Sequence, residues 1–427
     1  MLPLPRPWRS THSGWPSYHE RVPLTRRQVL RRRRITVFGG AGLVLATAFY
    51  LPITLLAPLQ STAASVLPYE APVSAAADLA LPAYGATAVG AVGFPGILAS
   101  SGTADALPIA SITKVITSLV VLQAKPLGTE ETGPDITFTA NDVALYKSYL
   151  ARFGKVEPVR SGLVLTQRQV MELTLVASAN NYAESLINWA YGSMDAFLPV
   201  ARTWLTDHGL THISLSDGTG MSPENTATAA DLVELGKIAL ADPLVALLTS
   251  TKHISIPKVG EIDNTNDLLG TSGVHGIKTG TLTEACLLFA ADYQVGAQTI
   301  TVVGVVLGGA DHPTIDRDIL SLLAGVASGF HEVVLTTAGT GYGSYATEWG
   351  DKTDVVATAD AKVVLWADTP VSLLVEARPI TLDPAGTDIG TLHFTAGTQT
   401  VDVPLETKKT IDDPGPWWRL THPTELF

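Results

Sequence analysis

The feature that most constrains this chain is an uncharged apolar run of 25 residues, Ile35 to Leu59, placed directly after four adjacent arginines, Arg31 to Arg34. Such a run is long enough to cross the hydrocarbon core of a bilayer with some tilt, and clustered arginine stays on the cytoplasmic side. The expected plan is a cytoplasmic basic tail (1–34), a transmembrane helix (35–59) and an extracytoplasmic body. Charge follows the same division. Residues 1–34 hold nine Arg against one Glu, a balance of +8, so a chain of net charge −12 leaves −20 for the rest. A cleaved signal peptide is the second reading, since Thr25-Arg26-Arg27 resembles a twin-arginine export signal and Ser61-Thr62-Ala63 a cleavage site, which would leave the body secreted. The run exceeds the apolar stretch of about 7 to 15 residues usual in such signals, which favours an uncleaved anchor. A buried core helix fits poorly with the arginines and with Pro52 and Pro58.

Beyond the membrane the chain divides by texture. Residues 60–83 are rich in Ala, Ser and Pro without a sustained period and read as a tether. Residues 84–333 alternate helical and strand patterns, with a strand signal from Ala86 to Ser100 and a meander over Leu287 to Tyr293 and Thr299 to Leu307. An amphipathic helix, Ile315 to Phe330, closes this part. Residues 334–427 carry short apolar strands broken by Gly, Pro and Asp and read as a small β-sandwich-like domain. The fold class expected is therefore α+β with an all-β C-terminal domain. Residues 126–165 yield no assignment. The single Cys286 excludes a disulfide framework and a cysteine zinc site. With no metal-ligand spacing, no phosphate-binding glycine loop and no basic patch outside the membrane-proximal tail, no metal, cofactor or nucleic acid is expected.

The chemistry concentrates in three short stretches. In Pro108-Ile-Ala-Ser111-Ile-Thr-Lys114 a hydroxyl sits three residues before an amine at the start of an apolar helix. Ile112, Val115, Ile116, Leu119 and Val120 mark one face, and Ser111 and Lys114, about 60° apart, share another. Serine is a weak nucleophile unless a base lies within hydrogen-bond reach, and a lysine desolvated by its site can be that base. Ser-x-x-Lys also occurs at Ser255-Ile-Pro-Lys258, where proline and alternation indicate a strand or turn, so the motif alone is weak. Thr166-Gln-Arg-Gln169 is a capping box starting a helix that stops near Ala177, which displays Ser178-Ala-Asn180 on a turn before a second helix. The loop Ser216-Asp-Gly-Thr-Gly-Met-Ser-Pro223 has the composition of site-lining loops. Gly276-Ile-Lys278-Thr279-Gly280-Thr281-Leu-Thr283 reads as a strand with its threonines on one face.

Ser111-x-x-Lys114, Ser178-x-Asn180 and Lys278-Thr279-Gly280 in this order resemble the motif set of penicillin-binding proteins and class A β-lactamases. The closer resemblance, over residues 83–332, is to the serine-type D-alanyl-D-alanine carboxypeptidases, low-molecular-mass penicillin-binding proteins that also carry a β-rich C-terminal domain. It implies a penicillin-binding-protein/β-lactamase-like domain, acylation of Ser111, Lys114 as base, and Ser178 and Asn180 relaying protons and holding the substrate amide. Lys278 and Thr279 would take the terminal carboxylate of D-Ala-D-Ala, with Gly280 allowing close backbone approach. The N–H groups of Ser111 and Thr281 would form the oxyanion hole. The implied partners are the peptidoglycan stem peptide and, as inhibitors, β-lactams. Departures are Cys286, where relatives often have Gly, and the tail Pro416-Trp-Trp418-Arg-Leu420, too short for the C-terminal amphipathic anchor common among them; His275 is expected at the surface. A class A β-lactamase lacks support because no Glu-x-x-Leu-Asn loop lies between Asn180 and Lys278. A DD-endopeptidase or transpeptidase, and a non-catalytic β-lactam- or peptidoglycan-binding module, are the other readings.

Overall fold

The computed structural model describes residues 25–72 and 75–427, so residues 1–24 of the expected cytoplasmic tail lie outside the described part. Helix α1 (Arg26–Leu55) begins at a capping box between Thr25 and Gln28, passes through all four adjacent arginines and contains Pro52. It therefore starts nine residues before the apolar run and ends short of Leu59, because favourable capping at Thr25 and the good helix propensity of arginine extend it backward. Its apolar portion, Ile35 to Leu55, is about 31 Å long, close to one bilayer core. Its most apolar 18-residue stretch is unburied by the rest of the chain, and by length and composition the helix could cross a membrane.

The body is built on a five-stranded antiparallel sheet. Its strands are β1 (Ala86–Ala91), β2 (Ala99–Gly102), β3 (Val274–Thr281), β4 (Ala285–Val295) and β5 (Gln298–Gly309), in the spatial order β3-β4-β5-β1-β2. The chain thus leaves the sheet after β2, builds a helical layer, and returns at the opposite edge as β3. In β4 the residues alternate between two cores. Cys286, Leu288 and Ala290 face the helical layer, while Leu287, Phe289 and Ala291 face α9 (His312–Gly329). Burial on both faces explains why β4 and β5 read as continuous apolar runs.

The helical layer surrounds α2 (Thr113–Ala124), which is preceded by a single 3₁₀ turn, Ala110–Ile112. One buried face was expected for α2, yet every residue from Thr113 to Leu122 is buried. Helices α4 (Gln167–Leu175), α5 (Asn180–Tyr191) and α6 (Met194–Asp207) enclose it, with α7 (Ala229–Ala241) and α8 (Pro243–Ser250) between it and the sheet. The unassigned stretch 126–165 contains α3 (Ala140–Ala151), capped by Thr139, and a short two-stranded ladder, Asp135–Thr137 with Val164–Thr166. Ser255 lies in a short strand, its hydroxyl on Glu261, and Lys258 in the following turn, as the proline indicated. β3 ends at Thr281, so Thr283 falls in the turn to β4 and does not continue the expected threonine face.

After α9 the chain is all β until its last helix. A pair, β6 (Phe330–Thr336) and β9 (Ala361–Trp366), shares a core with a larger sheet made of β7 (Gly341–Ala346), β8 (Lys352–Ala357), β10 (Val371–Ala377), β11 (Asp388–Ala396) and β12 (Gln399–Thr407). The edge beside β7 is filled from far upstream by Ser65–Val66. Thr62 exchanges two backbone hydrogen bonds with Ile380, of 2.7 and 3.0 Å, and the Tyr69 ring stands edge-on to Phe394 at 5.7 Å. The segment expected to be a free tether is thus partly woven into the C-terminal domain. A two-residue strand is too short to leave a period in the sequence. The last α-helix is α10 (Gly415–Thr421), which closes on the C-terminal end of α1: Tyr50 donates to the Leu420 carbonyl at 2.7 Å, and Arg419 to the Ala57 carbonyl just beyond it at 2.6 Å.

Candidate active site

The Ser111-Lys114 spacing is realised across the 3₁₀ turn and the first turn of α2. The Lys114 Nζ lies 2.9 Å from Ser111 Oγ, 2.5 Å from Asn180 Oδ1 and 2.7 Å from the carbonyl oxygen of Thr219. As an ammonium it donates to all three. Once it loses a proton, two N–H bonds remain for the two carbonyl acceptors, and the lone pair is left for the Ser111 O–H. Burial, reinforced by the charge of nearby Lys278, pushes the Lys114 amine well below its ordinary value, against the pull of Asp217. That is the state a base requires.

Two loops set this geometry. Asp217 holds its own loop as an Asx turn: Oδ1 accepts from the N–H groups of Thr219 (2.6 Å) and Gly220 (2.7 Å), and Oδ2 from Ser222 (2.7 Å). The Thr219 carbonyl is thereby aimed at Lys114. Thr117, one turn along α2, locks the loop from below by donating to the Gly218 carbonyl at 2.6 Å. On the other side Ser178 adopts a left-handed backbone, φ 59°, a conformation costing about 1–3 kcal/mol for a residue with a Cβ. It is held there by Ala179 N–H on Leu173 O (3.0 Å) and Asn180 N–H on Lys155 O (2.8 Å), which start α5 with the Asn180 amide facing Lys114.

Gly280 has a more specific reason than substrate approach. A Cβ at this position would lie 2.6 Å from Cys286 Sγ and 2.9 Å from the Ile109 carbonyl oxygen, so β3 can reach the nucleophile turn only with glycine there. Cys286, beside it in β4, is buried and its Sγ is 3.4 Å from Ile109 O.

Ser111, Ser178, Asn180, Thr279, Gly280 and Thr281 line one cavity of roughly 600 Å³. Ser178 presents a hydroxyl with no protein partner among the described residues. Lys278 is placed differently from expectation: it is 1% exposed and stands behind the wall, 3.3 Å from Thr265 Oγ1 and 3.5 Å from Thr279 Oγ1. Those two hydroxyls, 2.5 Å apart, line the cavity in its place. Burial pushes Lys278 down to about 7. Cys286, itself pushed up to about 12 by burial, is a neutral thiol near pH 7 and supplies no counter-charge there, while Lys155 adds to the fall. His312, at the first turn of α9, also lines the cavity, with Nε2 2.8 Å from Thr281 Oγ1; burial and Lys278 lower its pKa. His275 is half-buried and pairs with Asp292 at 3.1 Å. Among the described residues lining the cavity there is no Asp or Glu.

The family model described as D-alanyl-D-alanine carboxypeptidase matches residues 95–311, half of the chain, and spans all three motifs. The chain belongs to this family of S11 peptidases. Two D-alanyl-D-alanine endopeptidases are similar in sequence. That of Escherichia coli is 29% identical over 34% of this chain and 44% of its own length, and that of Pseudomonas aeruginosa 30% over 43% and 58%. The D-alanyl-D-alanine carboxypeptidase DacC of Escherichia coli is 26% identical over 50% of this chain and 53% of its own. The chain thus spans about half the length of the curated relatives it matches. Penicillin-binding protein 5 of Haemophilus influenzae shares the fold, with a TM-score of 0.55 at 18% identity over 82% of this chain and the whole of that one. So does a peptidoglycan synthesis regulatory factor of Streptococcus pneumoniae, with a TM-score of 0.56 at 21% identity over 78% of this chain and all of the other.

Against the family pattern, the structure brings Ser111, Lys114 and Asn180 into direct contact, leaves Ser178 poised at the cavity, and sets Lys278 one layer back. The sequence reading named the 216–223 loop without a role for Thr219, whose contribution is a backbone carbonyl, and gave Thr265 no role. It missed His312 and the Arg152–Lys155 turn. Only Asp217 carried a usable signal, since Asp before Gly-Thr-Gly favours an Asx turn.

Proposed function

We propose that this chain is a serine acyl-enzyme DD-peptidase, held at the membrane by α1 with its body outside the cytoplasm, that removes the terminal D-Ala from stem peptides ending in D-Ala-D-Ala. The single observation that carries the reading is the fully buried Lys114 amine 2.9 Å from Ser111 Oγ. Neutral Lys114 takes the Ser111 proton as Oγ bonds to the penultimate D-Ala carbonyl carbon. The oxyanion accepts from the N–H groups of Ser111 and Thr281. Collapse breaks the C–N bond, and the proton on Lys114 passes to the departing amine, with the unpartnered Ser178 hydroxyl as relay. Thr279 and Thr265 accept the substrate carboxylate by donating their hydroxyl hydrogens, and Lys278 behind them supplies positive potential. Water then attacks the ester at Ser111, with Lys114 again the base, and frees the enzyme. The same Ser111 ester forms when the β-lactam ring opens.

A cavity wall without a carboxylate disfavours a β-lactamase that deacylates through glutamate. The two endopeptidase relatives favour one second reading, cleavage of a D-Ala bond within a crosslink. The test uses the full chain in detergent. Labelled penicillin should attach at Ser111, and a peptide ending in D-Ala-D-Ala should release one D-Ala. No label sinks the proposal, label without D-Ala release indicates a β-lactam-binding module, and faster cleavage of a crosslinked dimer than of the monomer indicates the endopeptidase.

A further inference from the structure

The larger sheet of the C-terminal domain is closed at one edge and open at the other. Ser65–Val66 pairs with β7 at the first edge, whereas β10 (Val371–Ala377) forms the second, with β11 as its one neighbour among the described residues. The parity of the β10–β11 ladder fixes where the β10 backbone points. Gly397 N–H bonds to Pro370 O (3.3 Å) and Arg378 N–H to Ile389 O (2.8 Å), both in the register that runs unbroken from Val371 opposite Ala396 to Ala377 opposite Gly390. Even-numbered residues therefore bond to β11, and the N–H and C=O groups of Val371, Leu373, Val375 and Ala377 face outward. Among the described residues none of these groups bonds to another part of the chain.

A monomer's open edge is ordinarily blunted by a proline, a lysine or a bulge that keeps other chains from pairing with it. Val371-Ser-Leu-Leu-Val-Glu-Ala377 has none of the three. Its odd-numbered side chains face the core of the domain, and on the outer face Leu374 is 58% exposed beside its cross-strand neighbour His393. The one charge on the strand is Glu376, with His393 Nε2 at 3.6 Å. The strand is also its own complement. Two antiparallel copies related by a two-fold axis at Leu374, the central residue, set Leu373 opposite Val375 and Val371 opposite Ala377. All the outward-facing residues then fall at hydrogen-bonded positions, and about eight backbone bonds close. Leu374 meets its counterpart at a non-hydrogen-bonded position, with Cα atoms about 4.5 Å apart. Glu376 falls opposite Ser372, whose hydroxyl can donate to it, and away from the other Glu376. An axis at Leu373 or Val375 leaves one outward residue unpaired and sets Leu374 against Ser372 or Glu376. A one-residue slip turns the outward groups of one copy toward a partner residue whose own groups point away.

We propose that β10 is a self-association edge: two copies of this chain join by antiparallel β10–β10 pairing centred on Leu374, which makes one continuous sheet across the pair. A ladder of this length buries less surface than a standard interface, so the dimer is weak in dilute solution and grows with chain concentration by mass action. The pairing leaves the active-site cavity of each copy untouched and does not depend on the DD-peptidase reading.

The experiment is disulfide trapping of the full chain in detergent under a mild oxidant, with wild type, whose single Cys286 is buried, as the blank. Leu374→Cys should crosslink to its counterpart, because the Cα separation at the axis suits a disulfide. Ser372→Cys and Glu376→Cys, each about 13 Å from its own counterpart, should crosslink at least about fivefold less when alone, and should crosslink to each other when the two variants are mixed. Light scattering corrected for bound detergent should show the wild-type mass rising toward that of a dimer with concentration. Leu374→Lys, which sets two ammonium groups together at the axis, should stay monomeric with an unchanged melting temperature, since the side chain is on the exposed face. A wild type that is monomeric at roughly 0.1 mM overturns the proposal. So does crosslinking at 374 no greater than at 372 or 376, or a folded Leu374→Lys variant as dimeric as wild type.

Discussion

Replacing Lys278 by Met should make the protein more stable and less active, and the stability gain should shrink as the pH rises. The amine is fully buried, its nearest acceptors are two hydroxyls at 3.3 and 3.5 Å, and among the described residues no carboxylate pairs with it. Its pKa falls from 10.5 to about 7. Below about pH 7 the folded and unfolded chains both carry the proton, and folding bears the whole cost of desolvating it, about 5 kcal/mol. Above the unfolded value of 10.5 neither form is charged and the cost vanishes. Between those limits the unfolded chain binds more protons, so wild-type stability rises with pH. Two-state linkage gives a penalty of about 4 kcal/mol at pH 7 and about 2 kcal/mol at pH 9. Methionine fills similar volume without the charge, and its packing contribution does not change with pH. Urea unfolding of wild type and Lys278→Met at the two pH values should therefore show a stability gap that narrows by about 2 kcal/mol. Other titrating groups cancel in the difference. A gap that stays constant with pH, or a variant less stable than wild type at pH 7, would refute the claim that a desolvated cation is held here at the expense of stability.

The same titration should appear in binding. As pH rises through about 7, Lys278 loses its charge, so KM for a peptide with a free terminal carboxylate should rise, whereas labelling by a neutral β-lactam ester, which feels Lys278 only through Lys114, should show a smaller step. Asp217→Ala removes the acceptor for the Thr219, Gly220 and Ser222 N–H groups. It should cost about 1–3 kcal/mol in stability and lower the rate of Ser111 acylation, with Asp217→Asn intermediate in both. Gly280→Ala forces a Cβ against Cys286 Sγ and Ile109 O. Thermal unfolding should show a loss of about 1–3 kcal/mol, and stopped-flow penicillin binding should be slowed because the nucleophile turn is displaced.

The parts legible in sequence were those encoded by side chains at fixed spacing. Ser111 and Lys114 meet because three residues make one turn, and the Thr166–Gln169 box begins α4 where the sequence places it. β4 and β5 follow from apolar runs around a short turn. The illegible parts share a physical reason. The Thr219 carbonyl is backbone and leaves no residue signature, and Lys278 is displaced from the cavity by tertiary packing that no local pattern reports. The Arg152–Lys155 turn owes its position to bonds with Asn180 and Tyr149, and the pairing of Ser65–Val66 depends on a strand nearly three hundred residues away.

That pairing changes the mechanics of the whole assembly. Residues 60–83 as a free chain would let the catalytic domain wander over a root-mean-square distance of about 27 Å. With Thr62 to Val66 stitched into the C-terminal sheet and α10 gripping the end of α1, the β domain becomes a pedestal instead of a leash. On an anchored chain the height of Ser111 above the lipid is then a fixed dimension. Under the membrane-anchored DD-peptidase reading proposed above, the enzyme would work on wall lying at that height and survey it by drifting sideways in the membrane, so lengthening the 60–83 segment alone would not extend its reach until the sheet contacts are cut.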